Sequence, residues 1–419
     1  MIKHKVLGRN IGENRQAKRA ASLPTKVCMR GYIVFMGGNA CCCGLAIFID
    51  ISLTTVICQD ISNPHRRKLF LTKSDLTFFK TDMVRVPRCS IYISQFANLI
   101  CSSPYKEGDY LTLYTEGEQT FWGNLQVRIW KLYQPWTLSC VMEVDALQLA
   151  AGPARAILKL YDRRSAAQLR KDKTIDPWTT DHESAYIDFV CSSRAQGFLD
   201  KLRNDDDFEE PEEGWDIAEN ETYLHDLCID MFKVETTAYT KLQSYQGTRI
   251  PRLLTPVTLS IKSLCLENGV DSAPPDSELF QVNGILLELI PGFTLAQLDE
   301  CKAPRTSWQA IIDQAIQTVH ILSDHNILNE DIRTSNILIT RNAKAQGGYR
   351  VIMIDFAQCR FRGEDESDLK WGRAKWSQDE EGVIGAVMKA RLKKSGFNLK
   401  YKRSMRYLEW AEREGDKEN

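Results

Sequence analysis

The chain has 419 residues, with 54 Lys and Arg against 55 Asp and Glu, so its formal net charge at pH 7 is −1. This balance gives no case for a nucleic-acid or acidic partner. The length allows two lobes with extensions, and an apolar content of 43% allows a sizeable core. The 13 Cys include no Cys-x2-Cys pair, which excludes zinc-site spacing and predicts free thiols in a reducing, cytoplasmic compartment.

Residues 1–105 are predicted to be an N-terminal extension. Residues 1–30 carry eight Lys or Arg against one Glu, whereas the stretch from Gly31 to Ile49 has no charged residue. A transmembrane helix needs about 20 mostly apolar residues, and Asn39 and four Gly weaken this stretch. We therefore favour a poorly ordered extension over a membrane span or a cleaved targeting segment.

A largely apolar strand from Ala154 to Tyr161 holds Lys159 near its end. A kinase-type site needs a lysine on such a strand, ion-paired to a glutamate on a helix. The alternative is a lysine whose charged head reaches solvent. Further along, the acidic run from Asp205 to Glu213 predicts a solvated, disordered insertion near residues 200–221, or else a docking segment for a basic partner.

The helix-like stretch after this run carries Glu235, the candidate partner of Lys159. Phe232, Tyr239 and Leu242 roughly fit one apolar stripe of a helix. The position of Glu235 in chain order favours the ion pair over an ordinary surface charge.

An apolar strand then runs from Gly284 into the Pro291-Gly292 break. In this chain order it is the place where two lobes would join. We therefore expect backbone groups of Glu288, Leu289 and Ile290 to contact adenine. The alternative is an ordinary strand and turn that needs no ligand.

The most informative pattern is Asp331, followed by Asn336 and, after two apolar strands, by Asp355. In kinase-type sites the first Asp orients and deprotonates an attacking hydroxyl, while the Asn and the second Asp hold Mg²⁺ against the phosphates of ATP. An N-cap Asp with an incidental Asn would explain either half alone. The order of helix, loop, strand, turn, strand and second Asp favours the phosphotransfer site.

Together these motifs resemble the fungal protein-kinase-like proteins, in the broad group that also contains aminoglycoside and choline kinases. The segments that carry the resemblance are Ile157–Arg164, Glu235, Leu286–Glu288, Asp331 with Asn336, Asp355–Ala357 and Trp376–Gly382. The resemblance covers about Pro135 to Leu392. It implies an α+β, bilobal protein-kinase-like fold. A sheet lobe would span residues 120–290, and a mostly helical C-terminal lobe would span residues 291–419.

The resemblance also implies a role for each site residue. Lys159 would bind the α- and β-phosphates of ATP, and Asp331 would be the catalytic base. Asn336 and Asp355 would bind Mg²⁺. Arg333 stands where a Lys is usual in the family, and its guanidinium can contact phosphate bidentately.

The chain departs from the family pattern in ways that leave its activity open. Gly152 is the only glycine between Trp136 and Lys159, so the usual three-glycine lid over the phosphates is missing. Ala357 replaces a flexible Gly, and no Ala-Pro-Glu follows. Three hypotheses remain: a kinase of a protein hydroxyl, a kinase of a small hydroxyl compound, and a pseudokinase that binds without turnover.

Overall fold

The computed structural model describes residues 104–115, 124–146, 154–261 and 278–410, together with the backbone of five short strands nearer the N-terminus. Residues 1–100 form one compact unit and residues 101–419 another. The five strands form an antiparallel sheet in chain order: β1 (Val27–Met29), β2 (Tyr32–Phe35), β3 (Leu45–Asp50), β4 (Thr55–Asp60) and β5 (Leu69–Leu71). Of the rest of the predicted extension, residues 104 and 105 are described, and Tyr105 is buried. The remainder lies outside the described residues, as do the side chains of the stretch from Gly31 to Ile49. Within the described residues, no helix is both long enough and apolar enough to cross a membrane.

Six antiparallel strands of the second unit close into a barrel. They are β6 (Tyr110–Tyr114), β7 (Asn124–Leu132), β8 (Cys140–Ala146), β9 (Ala154–Leu160), β10 (Leu253–Ser260) and β11 (Gln281–Glu288). In the barrel their order is β10-β11-β9-β8-β7-β6. Closure comes from β10, which pairs with β11 on one side and, through Thr258 and Leu259, with β6 on the other. Exposed and buried residues alternate along most of β7, as expected for a strand with one face on a core.

The predicted bilobal protein-kinase-like fold is wrong. We expected an N-terminal sheet lobe joined to a mostly helical C-terminal lobe, but the strands close into a barrel and residues 101–419 form one compact unit. Strand β11 gives the physical reason, because both of its faces are buried. Val282 and Leu286 pack in the barrel core, whereas Ile285 and Leu287 pack in a second core formed with later segments. The domain boundary that we predicted from the sequence, between residues 290 and 291, stays a prediction.

Most of the described helices pack into the barrel core or into the second core. The described helices are α1 (Ala167–Asp172), α2 (Thr180–Cys191), α3 (Arg194–Asn204), α4 (Ile217–Lys241), α5 (Arg305–Asp324), α6 (Asp368–Gln378) and α7 (Glu380–Lys394). Helix α4 begins with a capping box, in which Asp216 and Glu219 each accept the backbone N–H of the other. Helix α4 packs against α2, α3 and β11. This long helix, which has many polar residues, therefore lies beside the strand that pairs with β9.

The acidic run that joins α3 to α4 is exposed in its carboxylates but anchored by aromatic side chains. The ring centroid of Phe208 lies 5.8 Å from that of Phe198, and the Trp215 ring lies 5.3 Å from Phe198. Both contacts are edge-on, a favourable geometry for aromatic pairs. The run is therefore a packed connection, which differs from the disordered insertion that the charge pattern predicts.

Short strands complete the second core. They are β12 (Phe293–Thr294), β13 (Ile327–Asn329), β14 (Ile337–Arg341), β15 (Tyr349–Met353) and β16 (Cys359–Phe361). Strands β12, β14 and β15 form one antiparallel sheet, and β13 pairs with β16. Helix α5 packs against β15 and α7, so it supports the β14–β15 hairpin.

Candidate functional site

The β14–β15 hairpin brings two predicted site residues to one end. Ile337 pairs with Met353, and just beyond this pair the N–H of Ile354 donates to the carbonyl oxygen of Asn336 at 2.9 Å. Because the strands are antiparallel, Asn336 precedes one strand at the end where Asp355 follows the other. Most residues of the two strands are buried, so the hairpin is a firm support for these polar groups.

Lys159, Glu235 and Asp355 meet in one ion-pair cluster. The Nζ atom of Lys159 lies 2.5 Å from Oε2 of Glu235 and 2.6 Å from Oδ1 of Asp355. Only 5% of Lys159 and none of Glu235 is exposed, whereas 37% of the Asp355 side chain is exposed. The structure thus brings together the predicted lysine and glutamate, and neither side chain reaches solvent.

Charge interactions in this cluster outweigh the cost of burial. Burial alone would lower the pKa of Lys159, but the carboxylates of Asp355 and Glu235 raise that pKa well above its usual value. Burial would raise the pKa of Asp355, but Lys159 and, more weakly, Arg333 lower it. At neutral pH the cluster therefore presents a fixed cation beside a partly exposed anion.

The backbone of Asp355 has a φ of +68°, in the left-handed region. This conformation is uncommon outside glycine and costs on the order of 1–2 kcal/mol. The next residue, Phe356, is fully buried and packs edge-on against Tyr239 with ring centroids 5.6 Å apart. The buried ring and the ion pair with Lys159 together fix the direction of the Asp355 carboxylate.

The loop that carries Asp331 is held by its own side chains. Asn329 Oδ1 accepts the N–H of Asp331 at 2.9 Å. Asn336 Nδ2 donates to the backbone oxygen of Asp331 at 3.1 Å and to its Oδ2 at 3.2 Å. Arg333, which is 54% exposed in its side chain, forms an ion pair with the other carboxylate oxygen of Asp331. Asp331, Arg333 and Asn336 therefore lie together at the same end of the hairpin as Asp355.

The start of this loop has supports that the sequence did not predict. Glu380 accepts the N–H of Asn329 at 2.8 Å, and Gln378 donates to the carbonyl of Glu330 at 3.0 Å. Lys375 donates to the carbonyl of Ile327 at 3.0 Å and forms a buried ion pair with Glu380. The resemblance includes the segment from Trp376 to Gly382, but nothing in that pattern says which loop it would hold.

The predicted adenine contacts have a mixed geometry. The N–H of Glu288 already donates to the carbonyl of Arg252 at 2.9 Å, and its carboxylate lies 3.9 Å from Arg252 and 3.8 Å from Arg350. Ile290 is buried, and Leu289 lies between them, half-buried. Of the three residues, Glu288 therefore has its backbone donor occupied by the protein itself.

The donor set near Asp355 fits one kind of metal site. In the described part of the chain, no group of three or more His, Cys, Asp or Glu side chains could hold a metal ion. Mg²⁺ usually keeps several waters and binds through one or two carboxylates together with substrate phosphates. One carboxylate from Asp355 and one amide oxygen from Asn336 therefore fit Mg²⁺ that is bound together with a nucleotide. Gly152, the one glycine in the region where the family has its three-glycine lid, lies outside the described residues.

Comparison with known proteins does not assign a family. No protein-family model matches the chain, and no curated protein matches it. The resemblance to fungal protein-kinase-like proteins therefore stays a prediction, and the function has to be argued from the candidate site.

Proposed function

We propose that this chain is an ATP-binding, Mg²⁺-dependent phosphotransferase that acts on a hydroxyl acceptor. The observation that carries the proposal is the meeting of Lys159 with Glu235 and Asp355, which lie 76 and 196 positions further along the chain. A lysine held by a glutamate, next to a metal-binding aspartate, is the arrangement that positions phosphates for transfer. The chemistry depends on these side chains and not on a bilobal fold.

Each residue has a role that follows from its charge and position. Lys159 would contact the nucleotide phosphates, and Glu235 would hold Lys159 in place. Asp355 and Asn336 would hold Mg²⁺, which neutralises phosphate charge when it is bound. Asp331 would take the proton of the acceptor hydroxyl as its oxygen bonds to the γ-phosphorus and the bond to ADP breaks.

The acceptor is a hydroxyl of a protein or of a small compound. The near-zero net charge offers no support for a nucleic-acid partner. The described cysteines that carry free thiols support a reducing, cytoplasmic compartment; they are Cys140, Cys191, Cys228, Cys301 and Cys359.

A pseudokinase, which binds nucleotide without turnover, is the second candidate. The observation that favours it is the ion pair between Arg333 and Asp331. This pair engages one oxygen of the carboxylate that would accept the proton. In an active enzyme the guanidinium of Arg333 would turn from Asp331 to phosphate, which it can contact bidentately.

Thermal unfolding with Mg-ATP, with ATP and with Mg²⁺ alone tests nucleotide binding. A ligand that binds only the native state stabilises it by about 2.7 kcal/mol at a concentration of 100 Kd. We expect Mg-ATP to raise the Tm, Mg²⁺ alone to leave it unchanged, and Asp355→Asn to weaken the Mg-ATP effect. Asp365→Asn makes the same charge change at an exposed position and is the matched control. A Tm unmoved by millimolar Mg-ATP would contradict the proposal.

Asp331→Ala separates the kinase from the pseudokinase. General base chemistry contributes about 10²–10⁴ in rate, so we expect ADP formation with an acceptor to fall by that factor while Mg-ATP binding is retained. Acceptors should include both proteins and small alcohols. Unchanged turnover in Asp331→Ala would exclude this residue as the base. A wild-type chain that binds Mg-ATP but transfers to no acceptor would favour the pseudokinase.

A further inference from the structure

Tyr161 follows strand β9 directly and is almost fully buried. Its backbone N–H donates to the carbonyl of Asn283 at 2.8 Å, which extends the pairing of β9 with β11 by one residue. The position of the ring is therefore fixed by the barrel. Its hydroxyl donates to Oε2 of Glu235, the same oxygen that receives the Lys159 ammonium.

The surroundings of Glu235 give this hydroxyl its importance. Among the described residues, Oε1 of Glu235 is buried and has no hydrogen-bond partner. Both donors therefore converge on Oε2, and they alone set the direction of the carboxylate. The Tyr161 ring also packs edge-on against Phe232 on the same helix, with centroids 6.1 Å apart. Tyr161 thus contacts both the Lys159 strand and the Glu235 helix.

A bound phosphate would affect the two hydrogen-bond donors to Glu235 differently. Lys159 is shared between Glu235 and Asp355, so a phosphate group would compete for the same ammonium. In the described part of the chain, the hydroxyl of Tyr161 donates to Glu235 and not to Asp355, so it can stay on Glu235 throughout. It would keep the buried carboxylate oriented while Lys159 reaches toward phosphate.

The residues after Tyr161 hold the other end of helix α4. Arg163 forms ion pairs with Glu183 and with Glu221, and Arg170 pairs with Glu221 as well. All four side chains are buried. Glu221 lies in the first half of α4 and Glu235 in the second half. The chain around β9 therefore fixes α4 at two points, so this helix cannot turn freely about its axis.

We propose that Tyr161 is a positioning residue of the phosphotransfer site, whose hydroxyl holds Glu235 so that Lys159 is presented to the nucleotide phosphates. This inference rests on the proposed function. It adds a third member to the Lys159–Glu235 pair and predicts that a single buried hydroxyl controls the phosphate-dependent part of nucleotide affinity.

Tyr161→Phe in the full chain keeps the ring and removes only the hydroxyl. A hydrogen bond to a charged group that is lost corresponds to about a 10- to 100-fold change in a binding constant. We expect the Kd for Mg-ATP to rise by this factor, while the Kd for adenosine, which has no phosphate, stays unchanged. Calorimetric titration with both ligands measures the two constants.

Tyr186→Phe is the matched control. Tyr186 is fully buried, and its hydroxyl donates to the carbonyl of Leu279 at 2.6 Å, away from Lys159. Its loss should change neither constant. If Tyr161→Phe binds Mg-ATP as wild type does, or if both variants weaken Mg-ATP and adenosine equally, the positioning role is refuted. If the wild-type chain does not bind Mg-ATP, the proposed function itself fails, a result distinct from the other two.

Discussion

The buried pair of Lys375 and Glu380 provides a test of how charge holds the loop before Asp331. Both residues are 3% exposed. Burial raises the pKa of Glu380 despite the nearby ammonium, and burial lowers the pKa of Lys375 despite the nearby carboxylate. Both directions oppose the charged forms, so the cost of desolvation exceeds the attraction between the two charges.

Glu380→Gln should therefore be strongly destabilising. Gln can still accept the N–H of Asn329, so the variant removes the charge and keeps an acceptor. It leaves the Lys375 ammonium buried without its counter-charge, which costs about 3–5 kcal/mol. At roughly 2 °C per kcal/mol for a large domain, the Tm should fall by about 6–10 °C. Adding Lys375→Met removes the remaining charge, and the double variant should recover to within about 1–2 kcal/mol of wild type.

Calorimetric melting of the two single variants and the double variant gives the coupling energy. The matched control is Glu300→Gln, because Glu300 pairs with Arg305 at the surface, with 62% and 44% of their side chains exposed. An exposed pair contributes less than about 1 kcal/mol. The reasoning is refuted if Glu380→Gln shifts the Tm no more than Glu300→Gln does. It is also refuted if the double variant is as unstable as Glu380→Gln alone.

Barrel closure is the part of the fold that the sequence did not predict. Closure depends on β10 pairing with β6, between Thr258 and Tyr114, and no local pattern reports a partner so distant along the chain. The apolar run of Ile285, Leu286 and Leu287 held a clue, because it does not alternate with polar residues. A continuous apolar run is typical of a strand buried on both faces, whereas we interpreted it as a connection between lobes.

The candidate site was more accessible to sequence reasoning. Lys159, Glu235 and Asp355 are of the residue types that phosphotransfer needs. Lys159 lies in an apolar strand, Asp355 follows one, and Glu235 lies on a helix with an apolar stripe. Their supporting residues could not be recognised in the same way. The hydroxyl of Tyr161 meets a carboxylate 74 positions away, and Glu380 meets a backbone amide 51 positions away. Such partners are decided by tertiary packing, which periodicity does not report.

Two further predictions concern a glycine that lies against a neighbouring backbone and a buried histidine. Gly292→Ala would place its Cβ 2.2 Å from the carbonyl oxygen of Ile339, and should lower the free energy of unfolding by about 1–3 kcal/mol. The control is Gly197→Ala in helix α3, where the added Cβ meets no atom within 4 Å. Thermal melting should show that this control stabilises the protein by about 0.5–1 kcal/mol. His225→Gln should change the pH dependence of stability. Burial, and then Arg163, lower the pKa of His225 from 6.5 to about 3, so the unfolded chain binds a proton near pH 6.5 that the native chain does not. The contribution of His225 to the free energy of unfolding is therefore fully present above pH 6.5. It is lost as the pH drops toward 3, by up to about 1.4 kcal/mol per pH unit. In urea unfolding at pH 7.5, 6.0 and 5.0, the His225→Gln variant should lose that part of the slope. Equal slopes in the variant and the wild type would show that His225 is protonated, or accessible, in the native state.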